Sequence, residues 1–178
     1  MIVFFAILTF AIAADLLSKY FLTEVYSDFI PRFLSIYYTE NRGAAFSWFY
    51  GHTAWLIAIS SILTLAALAY YIWQRRIHKL RGQRSGWVFN IGFAFFLGGA
   101  IGNLFDRIWL GYVRDFLRFE FMNFPIFNLA DVFINIGVIM ILVHIIFLDG
   151  KKKTRPVTEH YTALGESSIK NSEQSEED

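Results

Sequence analysis

Four long apolar stretches constrain the fold of this chain more than any other feature of its sequence. Each stretch is close to the ~20 residues that an α-helix needs to cross the hydrocarbon core of a bilayer. The whole chain is 56% hydrophobic and only 17% charged, whereas soluble domains contain about 25% charged residues. The sequence therefore predicts a membrane all-α bundle of four transmembrane helices. Their expected limits are Ile2 to Phe21, Thr53 to Trp73, Trp87 to Arg107 and Phe127 to Leu148.

The distribution of basic residues predicts which side of the membrane each segment faces. The segment QRRIHKLRGQR between the second and third spans contains no acid, and the fourth span runs into KKKTR. Because cytoplasmic loops carry an excess of Lys and Arg, both segments are expected in the cytoplasm. The first span lacks the basic leader of a cleaved secretory signal, so it is expected to stay in the protein. Both termini are then cytoplasmic, and residues 22–52 and 108–126 are expected outside.

The two outer segments have the composition of β-strands. In VRDFLRFEF, apolar and polar side chains alternate with a period of two, which is typical of a half-buried strand. Asp115 falls on the more apolar side with Val113, whereas Phe116 falls on the other side with Arg114. The earlier segment FLSIYYTENRGAAFSW is rich in β-branched and aromatic residues. We therefore expect a small extracytoplasmic β-sheet beside the bundle.

The end of the chain differs in composition from the rest. Residues 149–178 are rich in Ser, Glu, Lys and Thr and have no apolar periodicity. Such a segment cannot bury enough apolar surface to offset the entropy lost on ordering. Residues 1–148 are therefore expected to form one membrane domain, followed by a hydrophilic and disordered cytoplasmic tail.

Several polar side chains occur within or at the ends of the apolar stretches. An ionisable group costs at least ~2.5–3.5 kcal/mol at the centre of a bilayer, so each such group needs a partner. Asp15 and Lys19 are four residues apart in the first span and are expected to form an ion pair. In the third span, the spacing of Asn103, Asp106 and Arg107 predicts a shared face with a hydrogen-bonded network, mainly structural in role.

The third and fourth spans also carry residues that predict helix packing. Gly98 and Gly102 have the spacing of small residues that lets another helix approach closely. Asn128, Asp131 and Asn135 recur at intervals of three and four residues and so share one helix face. That polar face is expected to point into the bundle.

The residue inventory excludes several catalytic mechanisms. The chain has no cysteine, which removes thiol chemistry, and it contains no GxSxG, HExxH or Walker motif. Three of the four histidines fall in expected loops or in the tail, and His144 is expected to be a packed or interfacial residue. We expect no metal, cofactor or nucleic-acid partner. Two carboxylates on different elements, Asp115 and Asp131, remain as the candidates for catalysis.

Paired carboxylates permit two kinds of function. Two carboxylates within a few ångströms cannot both ionise easily, so they share a proton and supply an acid and a base together. The base can activate a water for attack on a carbonyl carbon while the acid protonates the carbonyl oxygen, which hydrolyses a peptide without a metal. Paired aspartates also serve proton transport, so a small transporter or proton-coupled channel is the alternative. A transporter would spread polar residues through the membrane depth, whereas most of them here gather at the outer helix ends.

Five blocks of the sequence stand in the order DLLSK, NRGAAF, GGAIGNLFDR, VRDF and FNLADVFI. Together they resemble the signature of the bacterial lipoprotein signal peptidase family, also called signal peptidase II. The resemblance implies a membrane aspartyl endopeptidase that cleaves diacylglyceryl-modified prolipoproteins just before the lipidated cysteine, at the outer side of the bacterial cytoplasmic membrane. It also implies contact with membrane lipid and inhibition by globomycin-type peptides. The GxGD pattern of presenilin-like proteases is absent.

The resemblance further implies a role for individual residues. The aspartates of the VRDF and FNLAD blocks, Asp115 and Asp131, are the expected catalytic pair. Independently of the resemblance, the glycines of the aromatic first outer segment and its lack of a strong helical pattern predict a mobile cover over bound substrate. Supporting or substrate-binding roles are expected for Asp15, Lys19, Asn41, Gly43, Asn103, Arg107 and Asn128.

Overall fold

Four helices dominate the structure, a computed structural model that describes residues 1–43, 53–82 and 86–148. Within these ranges, four helices are long and apolar enough to cross a membrane. The predicted fold class, a four-helix membrane bundle with a small β-sheet, is therefore confirmed. The helices are α1 (Ile2–Phe21), α2 (Thr53–Leu80), α3 (Trp87–Leu110) and α4 (Leu129–Val143), and α4 continues as a π-helical turn (His144–Leu148).

The chain divides into two compact units. The first is Met1–His144, which contains the sheet and most of the helical residues. The second begins at Ile145, and its described part is the remainder of the π-helical turn. Several predictions concern residues outside the described ranges: the end of the NRGAAF block, the expected cover up to residue 52, the basic Arg84, and the tail from residue 149.

Two helices continue beyond their apolar stretches, and a glycine follows shortly after the last residue of each. α2 continues beyond Trp73 to Leu80, through residues expected in a loop, because Gln, Arg and Lys are good helix formers. It is followed by Gly82, whose φ of 63° is the left-handed conformation that glycine adopts most easily. α3 is followed in the same way by Gly111, with a φ of 82°. The expected loop residues Arg75, Arg76 and Lys79 therefore lie on the last turns of α2.

Glycines on α3 bring its neighbours unusually close, as their spacing predicted. A Cβ atom at Gly98 would stand 2.6 Å from the Cβ of Ala11 on α1. A Cβ atom at Gly102 would stand 2.3 Å from the carboxylate of Asp15. Gly99 makes a comparable approach to α4, where the carbonyl oxygen of Ala130 would be 2.3 Å away. α3 is consequently the central helix, and both α1 and α4 pack closely against it.

An apolar core joins the helices at the end remote from the sheet. Phe4 of α1 stacks on Tyr71 of α2 with ring centroids 4.5 Å apart. Phe89 and Phe93 of α3 pack beside them, and both are buried. His144 is also buried, and its ring centroid lies 5.3 Å from that of Phe89, so of the two predicted alternatives, packed or interfacial, the structure supports the packed one. The buried acids of α1 and α3, Asp15 and Asp106, lie at the other end of the bundle with Lys19 and Asn103.

A three-stranded antiparallel sheet covers that other end. Its order is β1 (Tyr26–Ile30), β2 (Leu34–Asn41) and β3 (Val113–Phe119). The period-two pattern is confirmed at Asp115, which is buried on β3 opposite Thr39. Phe116 is also buried, although the alternation assigned it to the polar side. The reason is that β3 is not a surface strand: α1 and α3 contact it, and Phe127 hydrogen-bonds along its free edge.

Candidate active site

Asp131 is placed by the first turn of α4. Asn128 is the N-cap of this helix, and its side-chain oxygen accepts the backbone N–H of Asp131 at 3.0 Å. The Asp131 carboxylate reciprocates by accepting the backbone N–H of Asn128 at 3.2 Å. This capping box is encoded locally by an amide and an acid three residues apart. It leaves the second carboxylate oxygen of Asp131 available, and that oxygen accepts the amide of Asn103 at 2.8 Å.

Asp115 is placed by the sheet and is almost fully buried, with 2% of its surface exposed. One carboxylate oxygen accepts the side-chain amide of Asn41 at 2.8 Å, and the other accepts that of Asn128 at 2.6 Å. Asn41 is oriented in turn by the backbone N–H of Gly43, which donates to its side-chain oxygen at 3.0 Å. Asn128 thus holds both aspartates, one through its oxygen and the other through its nitrogen.

Burial raises the pKa of the Asp115 carboxyl to about 7. The side-chain donor on Asn41 opposes this shift because it stabilises the ionised form, the nearby charge of Asp131 reinforces it, and Asn128 and Lys19 oppose it. The raised pKa makes the protonated form of Asp115 more accessible near neutral pH than that of an ordinary aspartate. This is the property required of a group that exchanges a proton during a reaction.

A buried lysine lies behind the two aspartates. Lys19 is fully buried, and its ammonium group is 2.7 Å from Asp15 and 3.5 Å from Asp106. The predicted ion pair with Asp15 is therefore confirmed. Lys19 also donates to the side-chain oxygen of Asn103 at 2.9 Å. Because that oxygen faces a cation, the amide nitrogen of Asn103 is turned toward Asp131.

Asp106 is bound differently from the sequence prediction. It was expected to share a network with Arg107, but consecutive helical residues point in different directions. Asp106 instead accepts the backbone N–H of Arg114 at 3.1 Å and its guanidinium at 2.8 Å. These bonds tie α3 to β3 directly beside Asp115. Sequence reasoning missed Arg114, although its place opposite Asp115 in the alternating pattern was a usable signal.

A cavity of about 730 Å³ opens beside the two aspartates. Arg107 lines it, and the buried Nε atom of this residue has no hydrogen-bond partner within the described ranges. Asn135 also lines it, although its face was expected to point into the bundle. Much of the remaining wall is apolar. It includes Phe119, Phe124, Phe127, Val132, Ile136 and Ile139.

The structure brings the expected site residues together in two layers. Five of them line the cavity, namely Asn41, Asn103, Arg107, Asp115 and Asp131. The other four lie behind these and hydrogen-bond or ion-pair within the same network, namely Asp15, Lys19, Gly43 and Asn128. Asp15 reaches α4 directly, because its carboxylate accepts the backbone N–H of Ala130 at 2.9 Å. In the parts of the chain that the structure describes, no group of three or more metal-ligating side chains is found.

This arrangement has the components of an acid and base pair for hydrolysis. One carboxyl is buried and titrates near neutrality, and the other lines a cavity at the first turn of a helix. Both accept neutral amide donors, which stabilise a carboxylate without adding a full positive charge. The apolar wall suits an apolar ligand. Among the described residues, the buried charged side chains are those of Asp15, Lys19, Asp106 and Asp115, and all four belong to this site, which favours hydrolysis here over transport through the membrane.

Comparisons with known proteins give a consistent result. The family model described as signal peptidase (SPase) II matches residues 7–147. A lipoprotein signal peptidase of Enterococcus faecalis is 38% identical over 156 residues, which cover 85% of this chain and 91% of that protein. One from Microcystis aeruginosa is 36% identical over 146 residues, which cover 79% of this chain and 89% of that protein.

Solved structures resemble the fold as well. One, described as a bacterial membrane enzyme, has a TM-score of 0.73 at 26% identity and covers 87% of this chain and 93% of its own. A second with the same description has a TM-score of 0.70 at 27% identity, covering 86% of this chain and 96% of its own.

Proposed function

The chain belongs to the signal peptidase II family, and from this premise we propose that Asp115 and Asp131 are its catalytic pair. As a family member, it is a multi-pass membrane protease of the aspartyl type that cleaves the signal peptides of lipoproteins. One observation carries the assignment of the pair. The side chain of Asn128 donates to the buried carboxyl of Asp115 and accepts the backbone N–H of Asp131, whose carboxylate lines the apolar cavity.

The two aspartates have different roles in the proposed reaction. Burial favours the neutral form of Asp115, which makes it the proposed acid, and Asp131 at the first turn of α4 is the proposed base. Asp131 takes a proton from a water molecule as the water oxygen attacks the scissile carbonyl carbon. Asp115 donates its proton to the carbonyl oxygen, which gives a neutral tetrahedral intermediate. The carbon–nitrogen bond then breaks as Asp131 returns its proton to the leaving amine and Asp115 recovers the proton from the hydroxyl.

Arg107 supports this reaction from the cavity wall. Arg107 lines the cavity, and its guanidinium carries a permanent positive charge with several N–H donors. Charge that develops on the scissile carbonyl oxygen would be stabilised by such a fixed donor. The proposed role is therefore substrate binding and charge stabilisation.

The apolar wall supports a lipidated substrate that enters from the bilayer. Val132, Ile136 and Ile139 lie on a membrane-spanning helix, and the last two are exposed. The proposed substrates are diacylglyceryl-modified prolipoproteins, cut just before the lipidated cysteine, and the apolar wall would contact their acyl chains or the signal peptide. Globomycin-type peptides are the inhibitors expected to occupy the same cavity. The sheet would lie at the outer surface, with both termini in the cytoplasm.

Purified protein and a diacylglyceryl-modified prolipoprotein provide the direct test. Asp115→Asn and Asp131→Asn should each lower turnover by ~10³-fold or more, because each removes one partner of the proton exchange. Asp28→Asn is the matched control, since Asp28 is an exposed acid on β1 outside the cavity. Thermal unfolding should show that all three variants remain folded. Wild-type turnover by either cavity variant would contradict the assignment of the pair.

A further inference from the structure

Asn135 is a polar residue in the apolar part of the cavity. It lies on α4 one helical turn after Asp131, and its side chain is exposed there. Its neighbours on the cavity wall, Val132, Ile136 and Ile139, are all apolar. An exposed amide among apolar side chains of a membrane span is unfavourable unless a ligand completes its hydrogen bonds. The proposed catalytic mechanism does not use this residue.

The orientation of the Asn135 amide follows from one hydrogen bond. Its side-chain nitrogen donates to the backbone carbonyl oxygen of Asp131 at 2.8 Å. A carbonyl oxygen can only accept, so the nitrogen must face it and the amide oxygen must face elsewhere. That oxygen makes no hydrogen bond with any residue in the described ranges. Asn135 therefore offers the cavity a hydrogen-bond acceptor.

A hydrogen-bond acceptor distinguishes the two apolar parts of a lipoprotein precursor, which are the diacylglyceryl group and the signal peptide. The diacylglyceryl group has acyl chains and ester oxygens but no hydrogen-bond donor. The signal peptide has a backbone N–H at nearly every residue. Residues just before the scissile bond must leave the helical conformation to reach the aspartates, and their N–H groups then lose their intrahelical acceptors. An apolar cavity offers those groups no water, so an acceptor from the protein is required.

We propose that the side-chain oxygen of Asn135 binds a backbone N–H of the signal peptide, on the side of the scissile bond that stays in the membrane. Asn135 is then a substrate-binding residue that accepts a hydrogen bond from the unwound peptide. It cannot accept one from the diacylglyceryl group, which has no donor. The inference rests on the proposed function, because it takes the aspartates as the point of cleavage. Its place one turn beyond Asp131 fits a peptide that runs from the cleavage point along α4.

Two substitutions separate substrate binding from a structural role in the helix. Asn135→Leu removes both the acceptor and the bond to Asp131. Asn135→Ser keeps a donor to the same carbonyl, because a helical serine bonds the carbonyl four residues earlier, but its short side chain withdraws the acceptor from the cavity. Both should raise KM about three- to tenfold with little change in kcat, as expected for one lost hydrogen bond made equally in ground and transition states. A normal KM in Asn135→Ser would overturn the proposal.

A matched control is available on a helix that does not line the cavity. The hydroxyl of Thr64 on α2 donates to the carbonyl of Ser60 at 2.7 Å, which imitates the helix-directed bond of Asn135. Thr64→Val should leave KM and kcat at the wild-type values. A comparable rise in KM in this control would attribute the effect to the bundle as a whole and would count against the proposal.

Substrate chemistry provides the decisive comparison. The probe is a synthetic lipopeptide with a diacylglyceryl cysteine, in which each of the three amides before the scissile bond is replaced in turn by an ester. An ester lacks the N–H donor, so one of these positions should raise KM in the wild type and not in Asn135→Leu. If every ester affects both proteins equally, the proposal is wrong. Failure of the wild type to cleave the all-amide lipopeptide would instead overturn the proposed function itself.

Discussion

Three asparagine side chains determine the geometry of the paired carboxyls at the scale of single residues. Asn41 and Asn128 donate to Asp115, and Asn103 donates to Asp131. An amide is neutral, so it can hold a carboxylate in place without lowering its pKa as strongly as a lysine would. The buried cation Lys19 is separated from Asp131 by the Asn103 side chain. Within the described residues, the side-chain hydrogen bonds to both carboxyls of the pair therefore come from neutral amides and not from a cation.

The donor on Asn41 gives a pH-dependent prediction. This bond favours the ionised form of Asp115, so Asn41→Ala should raise the pKa of Asp115 further above its ordinary value. Because Asp115 acts as the acid, activity is lost as pH rises through its pKa, and the descending limb of the kcat/KM profile should move to higher pH. Activity at pH 6 should fall about tenfold through lost positioning. Asn123→Ala, at an exposed asparagine outside the cavity, is the control. If the descending limb of the kcat/KM profile does not move, a group other than Asp115 acts as the acid.

The buried lysine gives a stability prediction. Lys19→Met would leave the Asp15 and Asp106 carboxylates buried near each other without their shared cation. Breaking a buried pair in this way costs ~3–5 kcal/mol. Arg118→Met is the control, because it breaks a more exposed pair with Glu120 and should cost less than ~1 kcal/mol. Unfolding in detergent would measure both. Equal losses of unfolding free energy in the two variants would mean that the buried cluster contributes no more to stability than a surface ion pair.

At the scale of elements, α3 is the part on which the site depends. It contacts α1, α2, α4 and β3, and it is the most buried of the helices. Its glycines determine how closely α1 and α4 approach, and so whether Lys19 can reach Asn103 and whether Asn103 can reach Asp131. The Asp106 bonds to Arg114 then join the same helix to the strand that carries Asp115.

The glycine contact between α1 and α3 can be tested by a single methyl group. Gly102→Ala should favour an isolated helix, since alanine is the better helix former by ~1 kcal/mol. In this protein it should instead destabilise by ~1–3 kcal/mol and lower activity about tenfold or more, because the added Cβ would meet the Asp15 carboxylate. Ala13→Val, at an exposed position on α1, is the control for added volume. Unchanged stability and activity in Gly102→Ala would contradict the proposed dependence on close approach.

At the scale of the whole molecule, the sheet and the basic end of α2 lie at opposite ends of the bundle. α1 and α3 lead into the strands at one end, and the last turns of α2 carry Arg75, Arg76 and Lys79 at the other. Since basic segments stay in the cytoplasm, the sheet and the aspartates are expected on the outer side. That is the side on which a signal peptide presents its cleavage point.

The absence of cysteine makes this orientation measurable without background labelling. Ser27→Cys on β1 should react with a membrane-impermeant thiol reagent in intact cells, because the strand is exposed and expected outside. Lys79→Cys at the end of α2 should react only after the membrane is opened. The reverse pattern would invert the proposed orientation and would separate the aspartates from an outer cleavage point.

The sequence by itself determined the features that depend on neighbouring residues. The lengths of the apolar stretches predicted four spans, the spacing of Asp15 and Lys19 predicted their ion pair, and alternation predicted a buried Asp115. The apolar stretch did not give the end of the helix: α2 extends to Leu80, because good helix formers continue past Trp73. The signature blocks indicated which residues to examine, but they contain no distances.

Only the tertiary structure decided which of these residues meet. Asn128, the N-cap of α4, donates a hydrogen bond to Asp115 on β3. Asp106 binds Arg114 instead of its neighbour Arg107. Asn135 lines the cavity, although it shares a helix face with the buried Asn128. Such contacts depend on how closely α1, α3, α4 and β3 pack, and close packing is a property of all these surfaces together. Periodicity assigns a residue to a face, and only packing determines what that face contacts.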